Sequence, residues 1–486
     1  MKTDQPVGNH DDLLNVVDGM LEEAGLDRKD FGGKLTFAGM DPIRPTVMKV
    51  GSASAIVAAA NAVAAAIIWK MRSGKGQDIH VDLRKAYTIH SAWQDVLADC
   101  TLLNGVSVMS DPNFYGPGLS ILPTRDNRWV MMCAPYPSQQ RKVCQLFNSG
   151  FLPDQLANAA RQWDAEDLEK AAQDMALPVV VCRTQEEYKK TEQYQHHAGT
   201  PLINIEKIGD SDPEPFGPGD RPLSGVRALS MVHVVAGPTV PRQLAAQGAD
   251  CLNLNIPDWV ESPAFYWQCD VGTRQAFMDA RVDKNRKPIY GLVKDADIFI
   301  ENLKPGLAAN EGYSAEELAT HRPGIIYTTI KLCTPTGPWA NWVGFDFNAG
   351  ALAGLLTETG TPDHPAAPHA VNVVVDFLTG FMATMGTQAA LIRRAKEGGS
   401  YKVTCTLSQT AMYMLSLGLV DKNTLLDLEN MGEEHQPIKP TLQTGQTPFG
   451  EFTRLGSQIE MSKTPEYWAD PIIVPKGSCK PEWMPR

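Results

Sequence analysis

Three polar residues lie where an apolar segment ends, and their side chains could support acyl-transfer chemistry. Asp376 follows the run VVV and precedes a long apolar segment, Lys331 ends IIYTTIK, and His233 lies in SMVHVVAGP. A carboxylate becomes an effective nucleophile when it is desolvated and held against a carbonyl group. Each residue also has a structural interpretation: Asp376 as a helix N-cap, Lys331 as a solvated strand end, and His233 as a satisfied core histidine.

The chain after residue 220 alternates apolar strand patterns with helix patterns. The predicted strands are 226–232, 251–254, 297–301 and 325–330, and the predicted helices are 241–247, 289–294 and 315–320. This alternation predicts an α/β fold with a doubly wound, Rossmann-like parallel sheet that helices cover on both faces. Ligands of such sheets bind at the carboxyl ends of the strands, so we expect binding residues in the turns after 232, 301 and 330.

A stretch rich in proline, glycine and aspartate divides the chain into two predicted domains. Residues 209–222 read GDSDPEPFGPGDRP, a composition that is typical of a linker. Residues 1–220 mix short strands with helices and are predicted to include a smaller α+β domain. Residues 221–486 are predicted to form the large domain, which carries the active site and a C-terminal tail.

The two predicted domains share a repeated segment. A shift of 324 positions aligns residues 52–83 with residues 376–407, with six identities that include Gly74 with Gly398 and Leu83 with Leu407. Both segments comprise a small-residue helix, a basic end, a glycine-containing turn and an alternating strand. The pattern indicates an internal duplication in which Ser52 stands opposite Asp376.

Composition and charge argue against several classes of function. The formal net charge of −12 disfavours a surface for nucleic acid or for an anionic membrane. The apolar segment 55–69 is short and interrupted, so we expect a buried helix rather than a membrane span. Nine scattered cysteines indicate free thiols, and the acidic N-terminus resembles no signal peptide, so we expect a cytoplasmic protein. Cysteine and histidine spacings suggest no metal site, and dinucleotide, P-loop, hydrolase and zincin motifs are missing.

A series of longer motifs occurs in unbroken order after residue 221. It runs through PLSGVRALSMVHVVAGPTVPRQLAAQGADCLNL, KDADIFIENLKPGLAANEGYSAEEL, HRPGIIYTTIKLCTPTGPW and GFDFNAGALAGLLTETG. It ends with VVVDFLTGFMATMGTQAALIRRAKEGGSYKVTCTLSQT, and the whole series covers about 190 residues. Together these motifs resemble the class III coenzyme A transferases, the CaiB/BaiF family that includes formyl-CoA transferase. Upstream, RSGKGQDIHVDL resembles the family's RTGxGQ segment, so the N-terminal half is similar to a second, partial copy.

The resemblance implies roles for individual residues. Asp376 falls on the family's catalytic aspartate. The implied CoA contacts are His233, Val235, Arg274, Asn302 and Lys331. The sequence departs from the family pattern, which has charged residues at these places, at Asn255, Ile256 and Asn310.

The resemblance also implies the reaction, in which CoA passes from a donor acyl-CoA to an acceptor carboxylic acid. Asp376 would carry first a mixed anhydride and then an aspartyl-CoA thioester. Backbone N–H groups at the head of the 376–397 helix are expected to stabilise the oxyanions. No permanently bound cofactor and no metal are implied. Ser52 cannot form an acyl anhydride, so the first copy is expected to be catalytically silent, and the protein to be a homodimer or an intrachain pseudo-dimer.

Two other functions remain open at this point. An α-methylacyl-CoA racemase shares the family's fold and aspartate, but it needs a histidine where the GFD segment has Phe345. A non-catalytic CoA-binding scaffold is compatible with the silent copy and the altered CoA contacts. Release of CoA thiolate from an acyl-CoA distinguishes an enzyme from a scaffold.

Overall fold

The computed structural model describes residues 6–89, 94–108, 116–258, 261, 263–366 and 373–485. Two long apolar helices and many shorter ones lie in this part of the chain. The α-helices in chain order are α1 His10–Glu23, α2 Val50–Ser73, α3 Leu83–Ala86, α4 Gln94–Cys100, α5 Pro137–Phe147, α6 Pro153–Ala160, α7 Ala165–Asp174, α8 Gln185–Lys189, α9 Glu192–Ala198, α10 Ala236–Ala246, α11 Pro263–Cys269, α12 Asp283–Lys294, α13 Leu307–Asn310, α14 Ala315–His321, α15 Asp346–Ala353, α16 Leu355–Thr359, α17 Val374–Glu397 and α18 Leu407–Ser416.

The strands of the described residues form one large sheet and three smaller ones. In chain order they are β1 Leu35–Ala38, β2 Ile79–Asp82, β3 Leu102–Leu103, β4 Val106–Ser107, β5 Leu119–Pro123, β6 Trp129–Cys133, β7 Val179–Val181, β8 Asn204–Gly209, β9 Arg227–Met231, β10 Asp250–Asn255, β11 Arg274–Phe277, β12 Ile298–Glu301, β13 Ile326–Lys331, β14 Ser400–Thr406, β15 Leu442–Thr447, β16 Gly450–Leu455 and β17 Ile459–Met461.

The largest sheet has the strand order β11-β10-β9-β12-β13-β14-β8. The strands from β9 to β14 pair in parallel, and β8 pairs antiparallel with β14 at one edge. Along the chain, β9, β10 and β11 follow one another towards one edge of the sheet, and β12, β13 and β14 follow one another towards the other edge. The direction of strand addition therefore reverses between β9 and β12. In open parallel sheets this reversal leaves a crevice at the carboxyl ends of the strands. The turns after β9, β12 and β13 therefore meet at one edge.

Successive side chains of these strands point to opposite faces, and helices cover both faces. Ala228 and Ile298 join the core that contains α10 and α17. Leu229 and Phe299, their neighbours in sequence, join the core that contains α12 and α14. A strand buried on both faces reads as a nearly continuous apolar run, which is the pattern of the predicted strands. The mixed α/β architecture with a parallel sheet is thus the one that the sequence predicts.

The two long helices, α2 and α17, pack against each other in the interior. Each has 24 residues, most of them buried. By length and composition α2 could cross a membrane, but its most apolar stretch is completely buried inside the protein. A helix that is buried on all sides needs no polar face. The two helices also share a buried hydrogen bond, in which Nε2 of Gln388 donates to Oδ1 of Asn61 (3.1 Å).

A smaller unit lies in the N-terminal half. Its strands β5, β6 and β7 form an antiparallel sheet. The helices α5, α6 and α7 cover this sheet, and side chains such as Val130, Val143 and Leu168 form a separate core between them. Strands and helices of this unit are segregated into layers, as in the predicted smaller α+β domain.

Strand pairings connect the two segments that the sequence divides at residue 220. From the first segment, β8 joins the large sheet beside β14, while β17 of the second segment pairs with β2. The intervening 209–222 stretch has no regular structure beyond β8, and Glu214 within it forms an ion pair with Arg322 (2.6 Å). The sheets therefore combine strands from both sides of the predicted boundary.

Candidate active site

The carboxyl ends of the parallel strands open into a cavity of about 720 Å³. Residues that follow β9, β12 and β13 line it, together with residues from the start of α5, the turn before α15 and the C-terminal tail. The lining side chains that matter for its chemistry are Tyr136, Gln139, Arg141, His233, Glu261, Asn302, Lys304, Lys331, Trp342, Phe345, Asp376 and Lys476.

Asp376 lies in the first turn of α17, at the wall of this cavity. The residue is only 4% exposed. Burial, and secondly the charge of Asp346, raise the pKa of its carboxyl well above the ordinary value. Burial disfavours the anion because water no longer solvates it, and the same loss of solvation leaves the anion reactive towards a carbonyl group.

Asp346 lies next to Asp376 and occupies the head of α17. The amide of Asp376 donates to Oδ2 of Asp346 (3.1 Å), and the amides of Val373 and Val375 also donate to this carboxylate. Burial raises the pKa of Asp346 to about 7. The sequence predicts that amides at this helix head face an oxyanion. The structure instead directs three of them at Asp346, because a buried carboxylate at a helix N-terminus is stabilised by the free N–H groups there.

Two valines beside the site have left-handed backbone conformations. Val373, just before α17, has φ +51°, and Val234, just before α10, has φ +69°. Both pack in one apolar cluster with Val235 and Phe377. A β-branched residue is strained in this region, and such strain persists where the surrounding structure holds it, often at functional sites. Val235, a predicted CoA contact, lies fully buried in this cluster, and its neighbour Val234 lines the cavity in its place.

The carboxamide of Asn302 joins the turns after β9 and β12. The amide of His233 donates to Oδ1 of Asn302 (3.1 Å), and Nδ2 of Asn302 donates to the carbonyl oxygen of His233 (2.8 Å). Burial, followed by the charges of Lys476 and Lys304, lowers the pKa of His233 to about 4, so its imidazole is neutral at neutral pH. The structure therefore brings Asn302 and His233 together with Asp376 in one cavity.

Lys331 also lines the cavity, but an acidic residue compensates its charge. Its Nζ donates to both carboxylate oxygens of Glu301 (2.8 Å each) and to the carbonyl oxygen of Leu303 (2.8 Å). Glu301 is 2% exposed, and a carboxylate buried to this extent requires a cation nearby. Lys331 is thus a fixed, partly buried group and not a solvated strand end.

Arg274 lies apart from the other predicted site residues. It begins β11 and therefore lies at the amino edge of the sheet, whereas the cavity opens at the carboxyl edge, where Phe277 ends the same strand. Its Nε and Nη2 donate to the two carboxylate oxygens of Asp250 (2.9 and 3.1 Å). Of the positions that depart from the family pattern, Asn255 and Ile256 line the cavity.

Glu261 connects three parts of the chain at the cavity, and sequence patterns do not reveal it. The amide of Val234 donates to its Oε2 (2.9 Å), and the hydroxyl of Tyr136 donates to its Oε1 (3.3 Å). The ammonium group of Lys476 lies 3.9 Å from the same carboxylate and 3.3 Å from Asp270. These partners are distant in sequence and meet only through the tertiary fold, so no local spacing points to Glu261.

Further cations line the cavity. Arg141 lines it from the N-terminal half and is exposed, and Lys304 lines it from the turn after β12. Burial and the charge of Lys142 lower the pKa of Lys304. Lys304 stands within the ENLKPG turn and could have been selected from the sequence beside Asn302, whereas Arg141 has no such signal. No cluster of His, Cys, Asp or Glu among the described residues could hold a metal ion.

Comparison with known proteins gives curated relatives that share part of their length with this chain. Acetyl-coenzyme A transferase nodX of Hypoxylon pulicicidum is 27% identical over 216 residues, which are 43% of this chain and 36% of the relative. Succinate–glutarate CoA-transferase of Agrobacterium fabrum is 31% identical over 195 residues, 36% of this chain and 48% of the relative. Succinyl-CoA:glutarate CoA-transferase of Mus musculus is 28% identical over 237 residues, 45% of this chain and 53% of the relative. The chain thus spans about half or less of these relatives.

Among solved structures, a CaiB/BaiF family protein from Brucella suis is 25% identical, with a TM-score of 0.38 over 48% of this chain and 65% of that chain. The Rv3272 protein of Mycobacterium tuberculosis is 23% identical, with a TM-score of 0.38 over 44% of this chain and 59% of that chain. The family model described as CoA-transferase family III matches residues 31–210 and 223–448, and the interruption falls in the stretch rich in proline and glycine. The match covers most of the chain on both sides of that stretch, and the chain therefore belongs to CoA-transferase family III.

Proposed function

We propose that this chain transfers CoA from an acyl-CoA to a carboxylic acid, with Asp376 as the covalent carrier. The observation that carries the proposal is the position of the Asp376 carboxyl, which is buried at the wall of the cavity in the first turn of α17. Membership of CoA-transferase family III supports the class of reaction. The curated relatives that are named as CoA-transferases support it as well.

The proposed reaction conserves the thioester energy through two exchanges on one carboxylate. The Asp376 carboxylate attacks the donor thioester carbon, the C–S bond breaks, and a mixed anhydride and CoA thiolate result. The thiolate then attacks the Asp376 carbonyl carbon, which releases the donor acid and leaves an aspartyl-CoA thioester. The acceptor carboxylate attacks this thioester, and the same two exchanges in reverse give the new acyl-CoA and free Asp376. Every bond that breaks is replaced, so the scheme needs no co-reactant.

The residues that line the cavity support one orientation of the bound acyl-CoA. The cations Arg141, Lys304 and Lys476 suit the phosphate groups of CoA, which carry its negative charge. The rings of Trp342 and Phe345 suit the uncharged pantetheine arm and the acyl group. We place the thioester at Asp376 and the phosphates among the cations.

We also infer that the large sheet is doubly wound and that the chain is internally duplicated as an intrachain pseudo-dimer. The strand order and its reversal between β9 and β12 support the first inference. For the second, α2 and α17 have equal length, and their starts differ by the same shift that aligns the sequences. The amide of Ser52 donates to the carboxylate of Asp41 (2.6 Å), and the amide of Asp376 donates to the carboxylate of Asp346 (3.1 Å). In both helices an amide of the first turn therefore donates to an aspartate that is distant in sequence.

Mass spectrometry of the intact protein after incubation with a panel of acyl-CoAs tests the proposed function. A covalent carrier gains the mass of an acyl group or of CoA, and free CoA thiol appears in the solution. A scaffold that binds CoA without chemistry gains no covalent mass and releases no thiol. If acyl-CoAs of the panel bind but produce neither a covalent adduct nor free thiol, the proposal is wrong and the CoA-binding scaffold is the better interpretation.

A further inference from the structure

Two arginines are buried beside the first turns of α17, and neither lines the substrate cavity. Arg242 of α10 is 3% exposed, and Arg454 of β16 is 2% exposed. Both donate to the carbonyl oxygen of Gln268, at 3.0 and 3.5 Å. The guanidinium of Arg242 lies 5.2 Å from the Phe377 ring centroid, and that of Arg454 lies 4.4 Å from the Trp468 centroid. Two cations thus share one carbonyl oxygen in the interior.

Several nitrogens of these arginines lack a hydrogen-bond partner among the residues that the structure describes. They are Nε of Arg242 and both Nε and Nη1 of Arg454. A buried charged donor without an acceptor is unfavourable, and native proteins satisfy such groups with protein atoms, water or ions. These nitrogens therefore identify a place that attracts an acceptor.

Both arginines line a small cavity of about 30 Å³. Its wall includes Gln243, Gln268 and Gln458. Because one water molecule needs on the order of 10–15 Å³ measured in this way, the cavity holds a single small ion or one to two waters, and it excludes a CoA or an organic acid of any length.

The charges around this cavity do not balance. Among the described residues of the cavity wall, Glu466 is the acidic one. The carboxylate oxygens of Glu466 accept from Gln247 (2.7 Å) and Ser457 (2.8 Å) and not from the arginines. Burial, followed by the neighbouring charge of Arg242, lowers the pKa of Arg454 to about 9, so it remains protonated at neutral pH. Among the described residues of this lining, two arginine charges therefore face one carboxylate.

We propose that this cavity is a binding site for one small monovalent inorganic anion, of the size of chloride, held by Arg242 and Arg454. The anion accepts from the unpartnered guanidinium nitrogens and neutralises the excess positive charge. Because Phe377 follows Asp376 in sequence and lies against Arg242, the bound anion stabilises the part of the fold that supports α17 from behind.

Thermal unfolding at constant ionic strength tests the site, with chloride progressively replaced by gluconate, which is too large for the cavity. An anion that binds the folded state alone raises the Tm with its concentration, by about 1 °C for each tenfold increase above its Kd. In Arg454→Met this dependence should disappear, while the Tm in gluconate should equal or exceed that of the wild type, because a buried unpaired charge has been removed.

Arg221→Met is the matched control. Arg221 also stacks on an aromatic ring, that of Tyr467 (3.9 Å), but it does not line the small cavity. The control should keep the chloride dependence of the wild type. Crystals grown in bromide give an independent readout that needs no variant, an anomalous peak between the two guanidinium groups. Equal Tm values in chloride and gluconate, an undiminished dependence in Arg454→Met, or a bromide-grown crystal without this peak would overturn the proposal.

Discussion

The carboxyls of Asp346 and Asp376 form a buried pair, and a negative charge on one carboxyl disfavours ionisation of the other. Burial is the main cause of both raised pKa values, and the charge of Asp346 raises that of Asp376 further. Such groups titrate as a pair. The sequence identifies Asp376 because it ends an apolar run and matches a family position. The role of Asp346 was not predicted, because its contact with Asp376 spans 30 residues of chain and forms only on folding.

Replacing Asp346 with asparagine is expected to shift the acid limb of the pH profile of kcat/KM for CoA transfer to lower pH. Asparagine keeps an oxygen for the Asp376 amide but removes the negative charge that helps to raise the pKa of Asp376. Asp376 then ionises at lower pH, and the nucleophilic form is present over a wider range.

Asp41→Asn is the matched control for this profile. Asp41 accepts from the amide of Ser52 at the head of α2, in the same way, and it does not line the substrate cavity. The control should leave the acid limb in place. An unshifted limb in Asp346→Asn, or an equal shift in both variants, would argue against the coupling of the two carboxyls.

Because Phe345 stands where a racemase needs a histidine, we expect that the protein does not racemise its substrates. The residue lines the cavity beside Tyr136, with the ring centroids 6.3 Å apart, and a phenyl ring can neither remove nor return a proton. An (R)-2-methylacyl-CoA incubated with the protein in deuterated water should keep its α-hydrogen, as followed by NMR. Rapid exchange would reopen the racemase alternative, with Asp346 as the first base to examine.

The helices that support the site differ in how well their sequences predict them. The sequence predicts helices over about 50–72 and 376–397, and the bounds of α2 and α17 agree with these ranges to within two residues, because the two apolar patterns are long. By contrast, α10 begins at Ala236, five residues before the predicted start, because Pro238 and Pro241 obscure its first turns. The two-residue strands and the strands β15 to β17 have no clear sequence pattern, since their pairing depends on distant partners.

Gly380 of α17 allows this helix to lie close to α10, so Gly380→Ala is expected to destabilise the fold. A Cβ at this position would lie 2.5 Å from Cβ of Thr239 and 2.7 Å from the carbonyl oxygen of Ala236. Overpacking of this kind costs about 1–3 kcal/mol, which should appear as a lower midpoint in urea unfolding.

Gly291→Ala is the control, since Gly291 lies within α12 and a Cβ there would meet no atom within 4 Å. This substitution should be neutral or stabilise by about 0.5–1 kcal/mol. Equal midpoints in the two variants would show that α10 and α17 do not depend on the close approach at Gly380.

Across the whole molecule, the cavity combines both halves of the chain. Tyr136 and Arg141 come from the smaller unit, whereas Asp376 comes from α17 and Asn302 from the turn after β12 in the large sheet. The sequence predicts the large sheet and the turns that meet at its edge, because strand and helix patterns are local. It does not predict the contribution of the N-terminal half, because that depends on how the smaller unit packs against the sheet.

One working site per chain is the expected stoichiometry. In the proposed duplication, Ser52 occupies the place of Asp376 in the first copy, and a hydroxyl cannot form an acyl anhydride. Titration with a labelled acyl-CoA, followed by intact-mass analysis, should therefore trap at most one adduct for each polypeptide. Two adducts, or a labelled peptide that contains Ser52, would contradict a silent first copy.

The central claim is that the Asp376 carboxylate attacks the thioester, and the kinetics of Asp376→Asn test it most directly. Asparagine keeps the shape and the backbone contact with Asp346, so folding and acyl-CoA binding should persist. The loss should fall on kcat and reach several powers of ten, on the order of 4 kcal/mol or more in the barrier. If Asp376 served only as a helix cap, asparagine would replace it almost without loss. A variant that binds acyl-CoA normally and transfers CoA at close to the wild-type rate would contradict the account.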